Sequence, residues 1–381
     1  AELAWVANQV NQGHAITGIK IAKDIDLGNQ PWTPIGYGTY FTGKIDGQGY
    51  HIYNMYINKS DLTEKSNFAG FIGGTNSESC DIININLSGK IDIPASVAQK
   101  TQVGSFVGKA NALGNMINCH SDVEINIMGA PAYVGGVLAF MKNANIKNCS
   151  YSGNITIATS GKVTNGIGGI LGCTNSSTTG IEAVINGCYF DGSIKNNGSE
   201  IPKYVAGINS YSNLSKAAET ITNNYVIGTI DCTATDQGSV YGKTNTTNFD
   251  CENNYYYADY TLTGKGGIPM KIEEFHSGEV AYLLNGDQME FLFGQELDSD
   301  DNMPVVYRGS NRVYKTIFMY NDNEYAVLYN NTEMKFPKNP VPDDSPTFEG
   351  WYDEKGNRYD GNSTTQTDLT LYAKIVATGT D

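Results

Sequence analysis

Arginine is almost missing from this 381-residue chain: Arg308, Arg312 and Arg358 are its only copies. Cations as a whole are scarce, 25 Lys and Arg against 40 Asp and Glu, and the net charge of −15 repels phosphate backbones and anionic lipid surfaces. No nucleic acid partner is expected. No stretch nears the roughly 20 apolar residues of a membrane span, and no charged segment followed by an apolar one opens the chain. The expectation is a soluble mature form with no membrane insertion in this segment. His14, His51, His120 and His276 are isolated, without HExxH or Cys-His spacing, so neither zinc nor any other cofactor is expected. Between residues 40 and 260 there is also no run of roughly ten residues with 3.6-residue apolar periodicity, which excludes a helical repeat.

What the chain does have is repetition. Small residues and glycines wrapped in apolar side chains recur as AGFIG (69–73), VGSFVG (103–108), VGGVLA (134–139), IGGILG (167–172) and VAGINS (205–210). After each comes a second pattern, clearest in IKNCSYSGNITI (146–157). Aligning those second halves puts Ile85, Cys119, Cys149, Cys188, Asn224 and Asn254 at one position, each preceded by Asn or Gly. The same pattern read upstream adds Asn54 and Met55. A period of this size means stacked units that bury a face only against their neighbours. Short segments rich in Val, Ile, Tyr and Thr, alternating with polar residues and punctuated by Gly, Asn and Ser, make those units strands, about three per coil.

The predicted fold is therefore all-β, a right-handed parallel β-helix, the hand following the usual crossover preference of parallel strands. The glycine pairs Gly135-Gly136 and Gly168-Gly169 fit coil corners where a Cβ would obstruct close backbone approach. Aligned Asn54, Asn84, Asn118, Asn148 and Asn223 can donate and accept along a stack of turns, a structural use of the amide. Cysteine is odd in number, seven, and Cys119, Cys149 and Cys188 share a column with Ile85, which points to core filling. Rungs about 4.8 Å apart still lie within reach of a disulfide, so distance alone leaves a bond open.

Both ends differ from the repeats. Leu3, Val6 and Val10, with Trp5 alongside and Gly13 as the stop, form a helical stripe suited to capping an open coil. In 264–312, Phe275, Val280, Leu283 and Leu284 mark a short helix, taken as a C-terminal capping segment after the β-helix of 1–263. From 313 to 381 the pattern changes to strand, loop, strand and a final alternating strand.

DIDL, WTPIG and FTGKIDGQGYHI, followed by VGGVLA and IGGILG, resemble the GLUG-motif proteins, bacterial extracellular repeat proteins of adhesin-like architecture. The likeness spans roughly 1–260, with Ala139 and Ala206 standing where the pattern has glycine. Phe348-Glu349-Gly350-Trp351-Tyr352, with Leu369 to Ala373 following, resembles the internalin-type B repeat, which implies a small β-grasp-like module with Trp351 and Tyr372 at its core or core edge.

β-Helices also carry polysaccharide lyases and hydrolases, which need a strong base beside carboxylates or a carboxylate pair. No arginine falls in the repeat region. Asp81, Asp92, Asp122, Glu124, Asp191, Asp231 and Asp250 do not recur in one column. Asp24, Asp26 and Asp46 read as turn supports. Glu296, Asp298, Ser299, Asp300 and Asp301 look like a calcium loop without its glycine and distal Glu, hence a solvated turn. A catalytic reading would require acids converging beside a lysine such as Lys147 or Lys195.

The expected function is that of a non-catalytic, monomeric, adhesin-like module, secreted or on the bacterial surface, binding a host protein or glycan. Its site residues are not readable in the sequence. The alternative is a carbohydrate-active β-helix enzyme, separable by reducing-end release from polysaccharides. If the cysteine column is core, Cys119, Cys149 and Cys188 label slowly with a thiol reagent in the native chain; rapid stoichiometric labelling would contradict their burial.

Overall fold

The computed structural model describes residues 2–62, 66–98, 100–161, 164–259, 264–286, 293–299, 303–306, 311–341 and 347–376. Tyr260, Asp300, Asp301 and Arg308 lie outside the described residues. The chain divides into two units, Ala1–Pro269 and Met270–Asp381. The segment expected at 264–312 is thus split between them.

The first unit is a parallel β-solenoid. One sheet takes a single strand from each coil and has six: Phe68–Ala69, Thr101–Gly104, Pro131–Gly135, Gly166–Gly168, Tyr204–Ala206 and Asp236–Gly238. The remaining strands form one continuous wrapped sheet. A full coil contains five short strands where about three were expected, as in Pro131–Gly135, Leu138–Met141, Ala144–Lys147, Ser150–Tyr151 and Asn154–Ile157. Corners interrupt the runs. Inward side chains from every coil merge into one core, including Val103, Val134, Ile167 and Val205, all fully buried.

The ladder stacks as its spacing predicts. Ile85 pairs with Cys119, and the following residues pair His120–Ser150–Tyr189–Tyr225–Tyr255, so Cys119, Cys149, Cys188, Asn224 and Asn254 fall in register just before them. The preceding Asn84, Asn118, Asn148, Asn223 and Asn253 are left-handed, with φ of 56°, 54°, 52°, 58° and 50°, and Gly187 joins them at 67°. That conformation turns the chain through the corner, and Asn and Gly are the residues that adopt it at least cost. The amide stack is present as well: Asn118 Nδ2 donates to Asn84 Oδ1 at 3.0 Å and Asn253 Nδ2 to Asn223 Oδ1 at 2.7 Å.

The buried member of each corner has a second task. Cys119, Cys149 and Cys188 point their thiols at the carbonyls of Ile82, Met116 and Ile146 on the preceding coil, at 3.4, 3.5 and 3.7 Å. Asn224 and Asn254 do the same with Nδ2, to Ile185 at 3.2 Å and Ile221 at 2.8 Å. The Asn224 Oδ1 also accepts the Cys188 N–H at 2.8 Å. These donors reach backbone groups inside a core, where an unmade hydrogen bond is expensive. All seven cysteines are free thiols, and burial raises Cys149 and Cys188 well above the usual thiol range.

Asn54 and Met55 do not extend this column. Met55 pairs with Gly89, and Asn54 Nδ2 reaches Asp26 Oδ1 at 2.9 Å, so both belong to a different corner, one strand on. Asn54 is a left-handed Asn followed by an apolar residue at this second corner, and local pattern alone does not distinguish it from the column of Asn84.

An α-helix, Glu2–Asn11, caps the first coil and buries Leu3, Ala7 and Val10 in the solenoid core. The buried stripe runs through Ala7, not Val6, because i, i+4 and i+7 share a face; Trp5 is 61% exposed. Asn11 ties the helix down, donating to the Pro34 carbonyl at 2.9 Å and accepting the Tyr37 N–H at 2.8 Å. At the other end, the Ile268 N–H donates to the Asn254 carbonyl at 2.8 Å, lining the last coil.

The second unit holds a five-stranded mixed sheet. Tyr314–Tyr320 and Asn323–Asn330 form a hairpin through left-handed Asn321 and Asp322. Leu369–Val376 lies parallel to Tyr314–Tyr320 and antiparallel to Thr347–Tyr352, which pairs with Arg358–Tyr359. Phe318, Met334, Trp351 and Leu371 are its core. Tyr372 is 37% exposed on the outer face, since its neighbour Leu371 takes the inward position. Phe275, Val280 and Leu284 are buried on two short helices, Ile272–His276 and Glu279–Asn285, and group with this unit.

The corner donors predict an order of stability. Asn224→Leu fills the space but leaves the Cys188 N–H and the Ile185 carbonyl without their Asn224 partners, a loss of about 2–6 kcal/mol at roughly 1–3 per orphaned group. Asn224→Cys restores the donor and should recover part of it in urea midpoints; equal midpoints for the two variants would refute the donor role.

Candidate functional site

The glycine repeats build a cleft. At Gly135 and Gly168 an added Cβ would collide with the carbonyl oxygens of Leu138 and Leu171, so these glycines let the chain fold tightly between the six-stranded sheet and the next strand. At Gly136 and Gly169 a Cβ would enter the backbone of the next coil and the rings of Tyr151 and Phe190. The apex residues Phe71, Phe106, Val137, Ile170, Ile208 and Val240 point inward and are fully buried. A turn whose apex points inward brings the outward side chains on its two flanks together.

Those flanks carry aromatic rings. Along the six-stranded sheet the outward positions pair Phe68–Gln102–Tyr133–Gly166–Tyr204–Asp236. On the facing strand Gly74, Lys109 and Phe140 pair in sequence, and Tyr211 pairs with Lys243. The rings meet across the cleft. Tyr40 and Phe68 are 6.4 Å apart by centroid, Tyr133 and Phe140 6.1 Å, and Tyr204 stacks on Tyr211 at 4.4 Å and 11°. The Lys109 ammonium lies 5.1 Å from the Phe68 ring and 5.7 Å from that of Phe140, within cation–π range. Burial, and then Lys142, lower the Lys109 pKa; burial raises the hydroxyls of Tyr133 and Tyr211. At the far end Asp236 pairs with Lys265 at 3.4 Å and Lys243 at 3.7 Å. The cleft thus presents aromatic rings beside a partly desolvated cation.

Most residues singled out in the sequence serve the fold. Asp26 Oδ1 accepts from the Gly28 N–H at 2.7 Å and Asp46 Oδ1 from the Gln48 N–H at 2.9 Å, both closing turns, while Asp24 Oδ1 accepts the His51 N–H at 2.8 Å. Asp298 pairs with Lys335 at 2.7 Å beside a turn closed by Ser299 and Glu296. Lys147 and Lys195 are exposed on separate rungs. Among the described residues no cluster of three or more His, Cys, Asp or Glu could hold a metal ion.

One carboxylate escaped the sequence reading. Glu219 is fully buried inside the solenoid, where Oε1 accepts from Thr174 Oγ1 at 2.7 Å and Asn209 Nδ2 at 2.8 Å, and Oε2 accepts from Ser212. Ser212 in turn meets Thr246 at 2.6 Å. The signal was present, because Ile221 faces the core and period-two alternation puts Glu219 on the same face. Burial pushes its pKa up to about 7 against three favourable hydrogen bonds.

No protein-family model matches the chain. It is 25% identical over 234 residues to an immunoglobulin A1 protease of Streptococcus sanguinis, a match covering 59% of this chain and 11% of that protein. The chain therefore spans about a ninth of that relative's length. In fold it is similar to a Bacteroides ovatus protein solved as a candidate immunoglobulin A1 protease, with a TM-score of 0.54 and 18% identity over 77% of this chain and 86% of that one. The β-solenoid is thus distantly related to those of immunoglobulin A1 protease-like proteins.

Glu219 sets a pH dependence. With a folded pKa near 7 against an ordinary 4.5, the folded chain holds a proton that the unfolded chain releases across that window. Its contribution is complete below the lower value and is lost as pH rises to the upper one, about 3 kcal/mol at 1.4 per unit. Glu219→Gln mimics the protonated acid, so its melting-temperature advantage over wild type should grow from pH 5 to pH 8. A constant difference would show that Glu219 does not titrate there.

Proposed function

We propose that this chain is a non-catalytic binding segment of a larger bacterial surface or secreted protein, its solenoid serving as a rigid scaffold for a host protein or glycan. The observation that carries this reading is the aromatic cleft: half-buried rings held on alternate rungs of a body whose coils are cross-linked by buried donors. Such rings offer large contact area at low conformational cost. The short share of the Streptococcus relative covered by this chain supports a segment within a longer protein.

The finer affiliation belongs to the same proposal. The glycine turns that shape the cleft are the GLUG-like repeats, and the second unit, with parallel central strands and Trp351 in its core, suits a β-grasp-like B repeat. The immunoglobulin A1 protease likeness is read as that of an accessory domain, because this chain spans about a ninth of the Streptococcus relative's length.

Two assays on the full chain test the function. A glycan array and host-protein capture should give a saturable ligand, while a polysaccharide panel should release no reducing ends. Sustained product formation would replace the binding reading with the carbohydrate-active enzyme.

A further inference from the structure

Lys109 lacks the partner that its surroundings demand. It is half-buried between Phe68 and Phe140, and among the described residues it forms no ion pair. The charged neighbour that acts on it is Lys142, another cation. A cation thus sits without an ion pair among aromatic faces, on a chain of net charge −15. A partly desolvated charge is costly, and a ligand that pairs it recovers part of that cost on binding.

We propose that the Phe68–Tyr133 end of the cleft binds a carboxylate-bearing saccharide, its acid group on Lys109 and its ring faces on the aromatic side chains. The proposal rests on the binding function above and deepens it. Charge decides part of the ligand. The acidic chain repels a densely charged polymer lying along it, while beyond about 8 Å that field is screened, so a single carboxylate held by the partly desolvated lysine is favoured over nucleic acid or such a polymer. Backbone decides the rest. An extended peptide binds a sheet by filling unpaired N–H and C=O groups; the strands that carry Gln102, Tyr133 and Lys109 already pair on both sides, and Phe68–Ala69, two residues long, is the sheet's edge strand. What remains for recognition is side-chain faces, and these suit pyranose rings.

Calorimetry on the full chain tests this with five probes: an oligogalacturonate, a sialyllactose, the neutral sugar matching each, and a poly-glutamate peptide. One acidic sugar should bind at least about tenfold more tightly than its neutral counterpart, identifying uronate or sialate as the source. Lys109→Met keeps the apolar stem and should remove that tenfold preference with little change for the neutral sugar; Lys109→Arg should restore it. Phe140→Ala should weaken both sugars, and thermal melts confirm that each variant is folded.

The proposal is overturned if neither acidic sugar binds at about 1 mM, if Lys109→Met binds the acidic sugar as wild type does, or if poly-glutamate binds equally well with the same dependence on Lys109. A saturable array or capture ligand that is indifferent to Lys109→Met keeps the binding scaffold and moves its site elsewhere. Absence of any such ligand removes the scaffold reading itself.

Discussion

Everything in the first unit depends on satisfying the backbone at corners buried between coils. A solenoid stacks strands so that each pairs with the coils above and below, but at a corner the chain leaves sheet geometry and its peptide groups lose their ladder partners. Here one residue turns the chain in the left-handed conformation, and the next turns inward and hands a donor to the coil beneath. Cysteine does this weakly and asparagine strongly, so one column can change from thiol to amide without altering its register. The cysteines are thus core residues with a polar duty, a fuller account than core filling alone.

The glycine turns solve the opposite problem, bringing backbones closer than any side chain permits. Their geometric result is a concave line along the solenoid. The aromatic rings and Lys109 come from strands that alternate in and out, and it is the inward apex that makes their outward sides face one another. Scaffold and candidate site are therefore products of the same small residues.

Much of this was legible in the residue pattern. The column from Ile85 to Asn254 was readable because a core position must recur once per coil, and the capping helix because its apolar stripe has a helical period. Asn54 and Met55 were misassigned because two corners share one local solution. Glu219 was overlooked because a search for acids in one surface column passes over a single acid on an inward face. The cleft was invisible for a different reason: Phe68, Lys109 and Phe140 are separated by tens of residues, and no local pattern says that they meet.

By itself, the sequence determined the repeat, the parallel stacking, the chemistry of the corners and the acidic, arginine-poor surface. These are matters of composition and period, which short-range sterics and hydrogen bonding translate directly into structure. Tertiary structure alone decided which outward side chains face each other, that a carboxylate lies sealed among hydroxyls and an amide, and that one lysine sits on two rings with no ion pair among the described residues. Those facts depend on the angle between strands and on the register between coils, which emerge only once the coils are stacked.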